Sequence, residues 1–80
     1  MDRPIEVIAY AGGRGEERPR AVRSAGKTLG VSAVLEAWIE AMPEPGAGTR
    51  RWFRVRLEDG RTLAVYYDEA LDGWFCREPS

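Results

Sequence analysis

Residues 51–67, RWFRVRLEDGRTLAVYY, alternate apolar and polar positions on both sides of Glu58-Asp59-Gly60. Alternation is the strand period, and Asp-Gly between two such runs signals a hairpin. Loop length then decides the register. A two-residue loop, Asp59-Gly60, sets Phe53, Val55 and Leu57 opposite Tyr66, Ala64 and Thr62, with Leu63, Val65 and Tyr67 on the other face. A three-residue loop, Glu58-Asp59-Gly60, pairs Leu57 with Arg61, Val55 with Leu63 and Phe53 with Val65. Only the second gathers the large apolar residues on one face, and a one-residue slip flips every side chain. The three-residue loop is therefore expected, with Gly60 in the left-handed position that follows a type I turn. The other face then carries Trp52 opposite Tyr66, Arg54 opposite Ala64 and Arg56 opposite Thr62.

The same reading extends along the chain. Residues 5–10 are β-branched and aromatic, follow Pro4 and end in a glycine cluster, which predicts a first strand before a loop at 11–17. Residues 18–24 alternate Arg20, Val22 and Ser24 against Ala21 and Arg23, with Pro19 near the start, as an exposed edge strand would. Ala25-Gly26 turns the chain. Residues 28–42, TLGVSAVLEAWIEAM, carry two patterns at once. Val31, Val34/Leu35, Trp38 and Met42 fit a helical stripe, and Ala, Leu and Glu favour helix. Yet every odd position from Leu29 to Ala41 is apolar, and no capping box precedes the run. A long bent strand from Thr28 to about Ile39 is preferred, with Leu29, Val31, Ala33 and Leu35 pointing inward. A helix at about 32–42 is the alternative. A Pro/Gly-rich loop at 43–48, a polar turn at 68–73 and a short last strand at 74–77 complete the pattern. The expected fold is mostly β: a small SH3-like barrel or roll of five to six short antiparallel strands, or α+β if the helix forms.

Eighty residues suit one domain, and 44% hydrophobic residues suit a globular one. The net charge of −1 gives no global attraction to nucleic acid or an anionic membrane, but it is unevenly spread. Residues 1–27 sum to +2, 28–48 to −3, 49–61 to +3 and 62–80 to −3. Eleven arginines accompany one lysine, a bias that a GC-rich genome produces; selection for the planar, bidentate guanidinium is the other source. A single cysteine, Cys76, allows no internal disulfide and reads as a small buried hydrophobe. The start is not a signal peptide and no run reaches about 18 apolar residues, so a cytoplasmic chain is expected.

Several features occur in one order: Pro4-Ile5-Glu6-Val7; Arg18-Pro19-Arg20; Val31, Val34, Leu35 and Trp38; Arg54-Val55-Arg56 with Asp59-Gly60; and Asp68 with Trp74. In this order the chain resembles a family of small bacterial domains of unknown function, sometimes found beside or appended to DNA-polymerase-like repair proteins. Ala37 stands where that family often has a polar residue, frequently Arg. The resemblance implies a mostly β fold, offers no catalytic residues, and points towards nucleic-acid metabolism.

Candidate chemistry is sparse. Gly12-Gly13-Arg14-Gly15 follows a strand but lacks the Lys-Ser/Thr ending of a phosphate loop, and reads as a hairpin loop. Glu16-Glu17 and the Asp68-Glu69…Asp72 group read as turn residues, since the spacing and closing glutamate of a calcium loop are missing. With no histidine and no paired cysteine, a nucleophile with its base has nothing to be built from, and no cofactor or metal is expected. Trp38 and Trp74 are assigned to the core. Trp52, with Tyr66, Arg54 and Arg56, reads either as structural cover of the sheet's second face or as a partly exposed interaction surface; the latter is adopted as the candidate site, since interfaces favour Trp, Tyr and Arg. The expected function is a non-enzymatic binding or accessory module for a protein partner or for self-association. The alternative is single-stranded nucleic acid, held by Arg50, Arg51, Arg54 and Arg56 with Trp52 and Tyr66.

Overall fold

The computed structural model describes residues 2–11 and 17–77, and every regular element among them is a strand. β1 (Asp2–Pro4), β2 (Glu6–Ala11), β3 (Glu17–Ser24), β4 (Lys27–Ala41), β5 (Thr49–Leu57), β6 (Thr62–Asp68) and β7 (Gly73–Arg77) form one antiparallel sheet in the order β1-β7-β6-β5-β4-β3-β2. The sheet curls into a half-barrel. The mostly β fold is as expected and the helix at 32–42 is absent. The strands number seven, not five to six, because the N-terminal run is split. β1 joins the edge of β7, where Pro4 sits without an N–H to offer, and the chain then crosses at Ile5 to pair β2 with β3. Ile5 N–H donates to the Trp74 carbonyl at 3.1 Å at that crossing. The two ends of the strand order are thus consecutive in sequence, which draws the sheet round on itself.

The central hairpin has the three-residue loop. Leu57 N–H donates to the Arg61 carbonyl at 2.8 Å and Gly60 N–H to that of Leu57 at 2.9 Å, with Gly60 at φ +91°. Asp59 steadies the turn by accepting from the Arg61 N–H at 3.0 Å. Phe53 pairs with Val65, Val55 with Leu63 and Trp52 with Tyr66. The concave face collects Phe53, Val55, Leu57, Val65 and Cys76 with Val22 of β3, and Ile5, Val7, Leu29, Val31, Val34, Leu63 and Trp74 pack against them. Cys76 is fully buried there, and the Arg3 guanidinium donates to its sulfur at 3.4 Å.

β4 is a strand, but its inward residues are not those that simple alternation predicts. The register against β5 shifts twice, and each shift inserts one extra residue, first Ser32 and then Leu35. The Ser32 hydroxyl donates to the Arg56 carbonyl at 3.1 Å, tying down the first bulge. The β4 residues that pack on the core are therefore Leu29, Val31 and Val34, while Ala33 and Leu35 do not; Ala37, opposite Phe53, shares their face but is exposed. Two bulges three residues apart turn a period of two into a local period of three, so this strand looked half helical. β3 is also not the expected edge. It lies between β2 and β4, and Val22 is fully enclosed. Pro19 is accommodated beside a bulge, where Ile8 pairs with Ala21, Ala9 pairs with Pro19 and Arg20 is the extra residue. The Gly12-Gly13-Arg14-Gly15 loop and Glu16 lie outside the described residues. Among the described residues, no helix is long and apolar enough to cross a membrane.

Candidate functional site: an aromatic row ending at an open edge

The convex face of the sheet carries four aromatic rings in register. Phe75 of β7 pairs with Tyr66 of β6, Tyr66 with Trp52 of β5, and Trp52 with Trp38 of β4. Ring centroids are 5.4 Å apart for Phe75–Tyr66, 4.4 Å for Tyr66–Trp52 and 5.6 Å for Trp52–Trp38, whose planes are parallel within 2°. Cross-strand aromatic pairs of this kind stabilise a sheet beyond their burial.

Charged groups cover the row. The Arg77 guanidinium lies over Trp52, 4.6 Å from its ring centroid, and that of Arg50 lies over Tyr66 at 4.8 Å. Asp2 holds Arg77 in place, accepting from its Nε at 2.9 Å and Nη2 at 3.1 Å, and accepts the Tyr66 hydroxyl at 2.8 Å. Asp68 accepts from the Arg50 Nε at 3.1 Å and from the Leu71 N–H at 3.0 Å, so it is a turn anchor, in keeping with its reading as a turn residue. Glu40 accepts the Trp52 indole N–H at 3.0 Å. The hydrogen bonds from Arg77, then Tyr66, lower the Asp2 carboxyl to about 2. Burial, and then the bond to Asp2, push the Tyr66 phenol up to about 12.

This geometry corrects the expected interaction surface. Trp52 and Tyr66 are each only 3% exposed, enclosed by their own chain rather than left partly in water. The arginine stacked on Trp52 is Arg77, not Arg54. Arg54 and Arg56 do face solvent, Arg54 in an ion pair with Glu36. The exposed indole is that of Trp38, assigned to the core from sequence but 43% exposed here. Trp74 does pack on the core, tilted against Phe53 at 5.9 Å.

Sequence reasoning missed the far half of β4. β3 pairs with β4 only as far as Gly30, whereas β5 pairs with it from Val31 to Ala41. Among the described residues, the other side of β4 beyond Gly30 therefore has no strand. The register fixes which backbone groups are open there. Met42 N–H donates to the Gly48 carbonyl, so alternate residues 42, 40 and 38 bond towards β5, and Ala37, Ile39 and Ala41 point their N–H and C=O away from it. Trp38 and Ile39 sit on this edge, Ile39 69% exposed. No Lys, Arg or Pro occurs between Thr28 and Met42. That absence was a legible sign, since basic residues and proline are the usual guards of an edge strand. No family model, curated protein or solved structure matches this chain.

Proposed function

We propose that this chain is a non-enzymatic, SH3-like binding module of the bacterial cytoplasm that engages a protein partner through the outer half of β4. One observation carries the reading: a regular strand segment that, among the described residues, is bonded on one side only and exposes Trp38 and Ile39. Open main-chain groups supply affinity and alternate side chains supply selectivity when a strand is added to a sheet edge. An enzymatic reading has less to stand on, because the chain has no histidine and its one thiol is fully buried. Single-stranded nucleic acid is also less well supported, since bases need open aromatic faces and Trp52 and Tyr66 are covered. Glu36 and Glu40 flank the exposed Trp38 and oppose a phosphate backbone. The resemblance to domains beside repair proteins favours a partner within a nucleic-acid-processing assembly.

The test compares wild type with a Trp38→Ser/Ile39→Lys double variant, each immobilised and exposed to cell extract, with a labelled single-stranded oligonucleotide titrated alongside. Proteins retained by wild type and lost by the variant are the expected result. Equal retention by both chains overturns the reading. So does salt-sensitive oligonucleotide binding that Arg54→Ala and Arg56→Ala remove.

A further inference from the structure

Resting on that reading, we infer that the β4 edge takes an extended segment with basic residues two positions either side of an aromatic one. The charge of the edge is the first ground. From Thr28 to Gly48 the chain carries Glu36, Glu40 and Glu44 and no cation. Glu36, Trp38 and Glu40 alternate on the convex face, each opposite a β5 residue on that side. A strand added on the open side meets the same three side chains across non-hydrogen-bonded pairs, where Cα atoms approach to about 4.5 Å.

The second ground is the strand that already occupies the closed side. β5 sets Arg54 against Glu36, Trp52 against Trp38 and Arg50 against Glu40. The Arg54–Glu36 pair is an ion pair, and the two indoles stack. Glu40 there accepts the Trp52 indole N–H while Arg50 turns to Asp68, so Arg-x-Trp-x-Arg is an order this edge already accepts in register, with one of its two arginines in an ion pair. The aromatic row gives the third ground. It runs Phe75, Tyr66, Trp52, Trp38 across four strands and stops at the open side of β4, with the last ring half exposed. The next rung is an aromatic residue of the partner. On the concave face the same segment meets Ala37, Ile39 and Ala41, which calls for small or apolar residues there.

The probe is a synthetic peptide with the β5 sequence TRRWFRVRL, titrated into the full chain while backbone amides are followed by NMR. Saturable binding with slowed exchange at the Ala37, Ile39 and Ala41 amides is expected, weakening several-fold as salt screens the pairs. Ile39→Pro removes an N–H that faces away from β5, so the fold persists while binding falls about tenfold or more. Ile39→Lys is the second variant should proline disturb the strand. Glu40→Arg should lose the peptide and recover binding to a version in which Glu replaces the residue copied from Arg50. Absence of binding, or binding indifferent to these variants, overturns the inference. So does sedimentation showing that wild type self-associates through this edge, abolished by Ile39→Pro, since a second copy then occupies it. That last outcome leaves the interaction reading standing, whereas variants that alter neither peptide binding, self-association nor capture remove both.

Discussion

Trp52→Ala is the sharpest test of the convex face. The side chain is 3% exposed, stacked on Trp38, tilted against Tyr66, covered by Arg77 and hydrogen-bonded to Glu40. Truncating a buried Trp to Ala costs about 3–5 kcal/mol from lost transfer energy and the cavity left behind. The loss also leaves Glu40 without its indole donor and Arg77 without a ring beneath it. Domains have roughly 5–15 kcal/mol in all, and a short chain lies at the low end. The variant should therefore be largely unfolded at room temperature or retain only a small part of its stability. Trp38→Ala removes one stack from a ring 43% in water, and a single aromatic pair is worth about 0.5–1.5 kcal/mol. Urea unfolding followed by circular dichroism ranks the two, and thermal melts should agree, at a shift of about 4–8 °C in Tm per kcal/mol for a domain of this size. Should Trp52→Ala cost under about 1 kcal/mol, or less than Trp38→Ala, the enclosed aromatic row does not stabilise the convex face.

Two further outcomes follow from local geometry. Gly60→Ala should destabilise by about 1–2 kcal/mol, read from urea midpoints. A Cβ there meets nothing within 4 Å, so the cost is that of placing an L-residue at φ +91°. The Asp2 group makes stability pH-dependent at both ends. Its carboxyl lies near 2 in the folded chain against an ordinary value of 3.8, so its contribution is complete above about pH 4 and is lost as pH falls towards 2. Tyr66, raised from 10.0 to about 12, behaves in the opposite sense: its contribution is complete below pH 10 and is lost as pH rises through 12. Asp2→Asn should flatten the acid limb of the unfolding free energy; an unchanged limb would mean that Asp2 does not bridge Arg77 and Tyr66 in solution.

What the sequence disclosed depended on the range of the interactions involved. The hairpin at residues 51–67 was legible down to its register because its turn chemistry and alternation lie within one short segment, and the three-residue loop alone put the large apolar residues on one face. The identity of β4 as a strand was legible, but its inward positions were not. Bulges at Ser32 and Leu35 show only in the register against Arg56, Val55 and Arg54 of β5, a non-local pairing that alternation within β4 does not mark. The exchange of roles between Trp38 and Trp52 was beyond reach for the same reason. Trp52 is sealed by Arg77, which Asp2 holds from the other end of the chain, and only the closing of β1 onto β7 brings them together. Arg54 and Arg56 were correctly placed on the outer face, whereas Arg51, grouped with them in the nucleic-acid alternative, alternates to the other side of β5. Without that seal in view, alternation alone could not decide between Trp52 and Tyr66 as cover for the sheet and as an open surface.

The chemistry of the β4 edge also bears on how it can stand without a neighbouring strand among the described residues. A flat, apolar, unguarded edge invites pairing with its own kind. Here the bulges at Ser32 and Leu35 spoil the first part of the edge as a template, leaving a regular stretch of only six residues, from Glu36 to Ala41. Two copies meeting along it bring together segments that each carry −3 between residues 28 and 48. Centring a two-fold pairing on Trp38 sets Glu36 directly against Glu40 of the second chain, and like charges directly opposite are destabilising. Centring it on Ile39 avoids that clash but still leaves the carboxylates diagonal neighbours, about 7–8 Å apart. Acidic residues thus take the place that lysine and proline hold on most edges, with one difference. Proline would close the strand to every comer, whereas glutamate discourages a second acidic edge and favours a basic one. On the proposal made above, the residues that disfavour pairing of two such edges also define the charge of the segment the edge accepts.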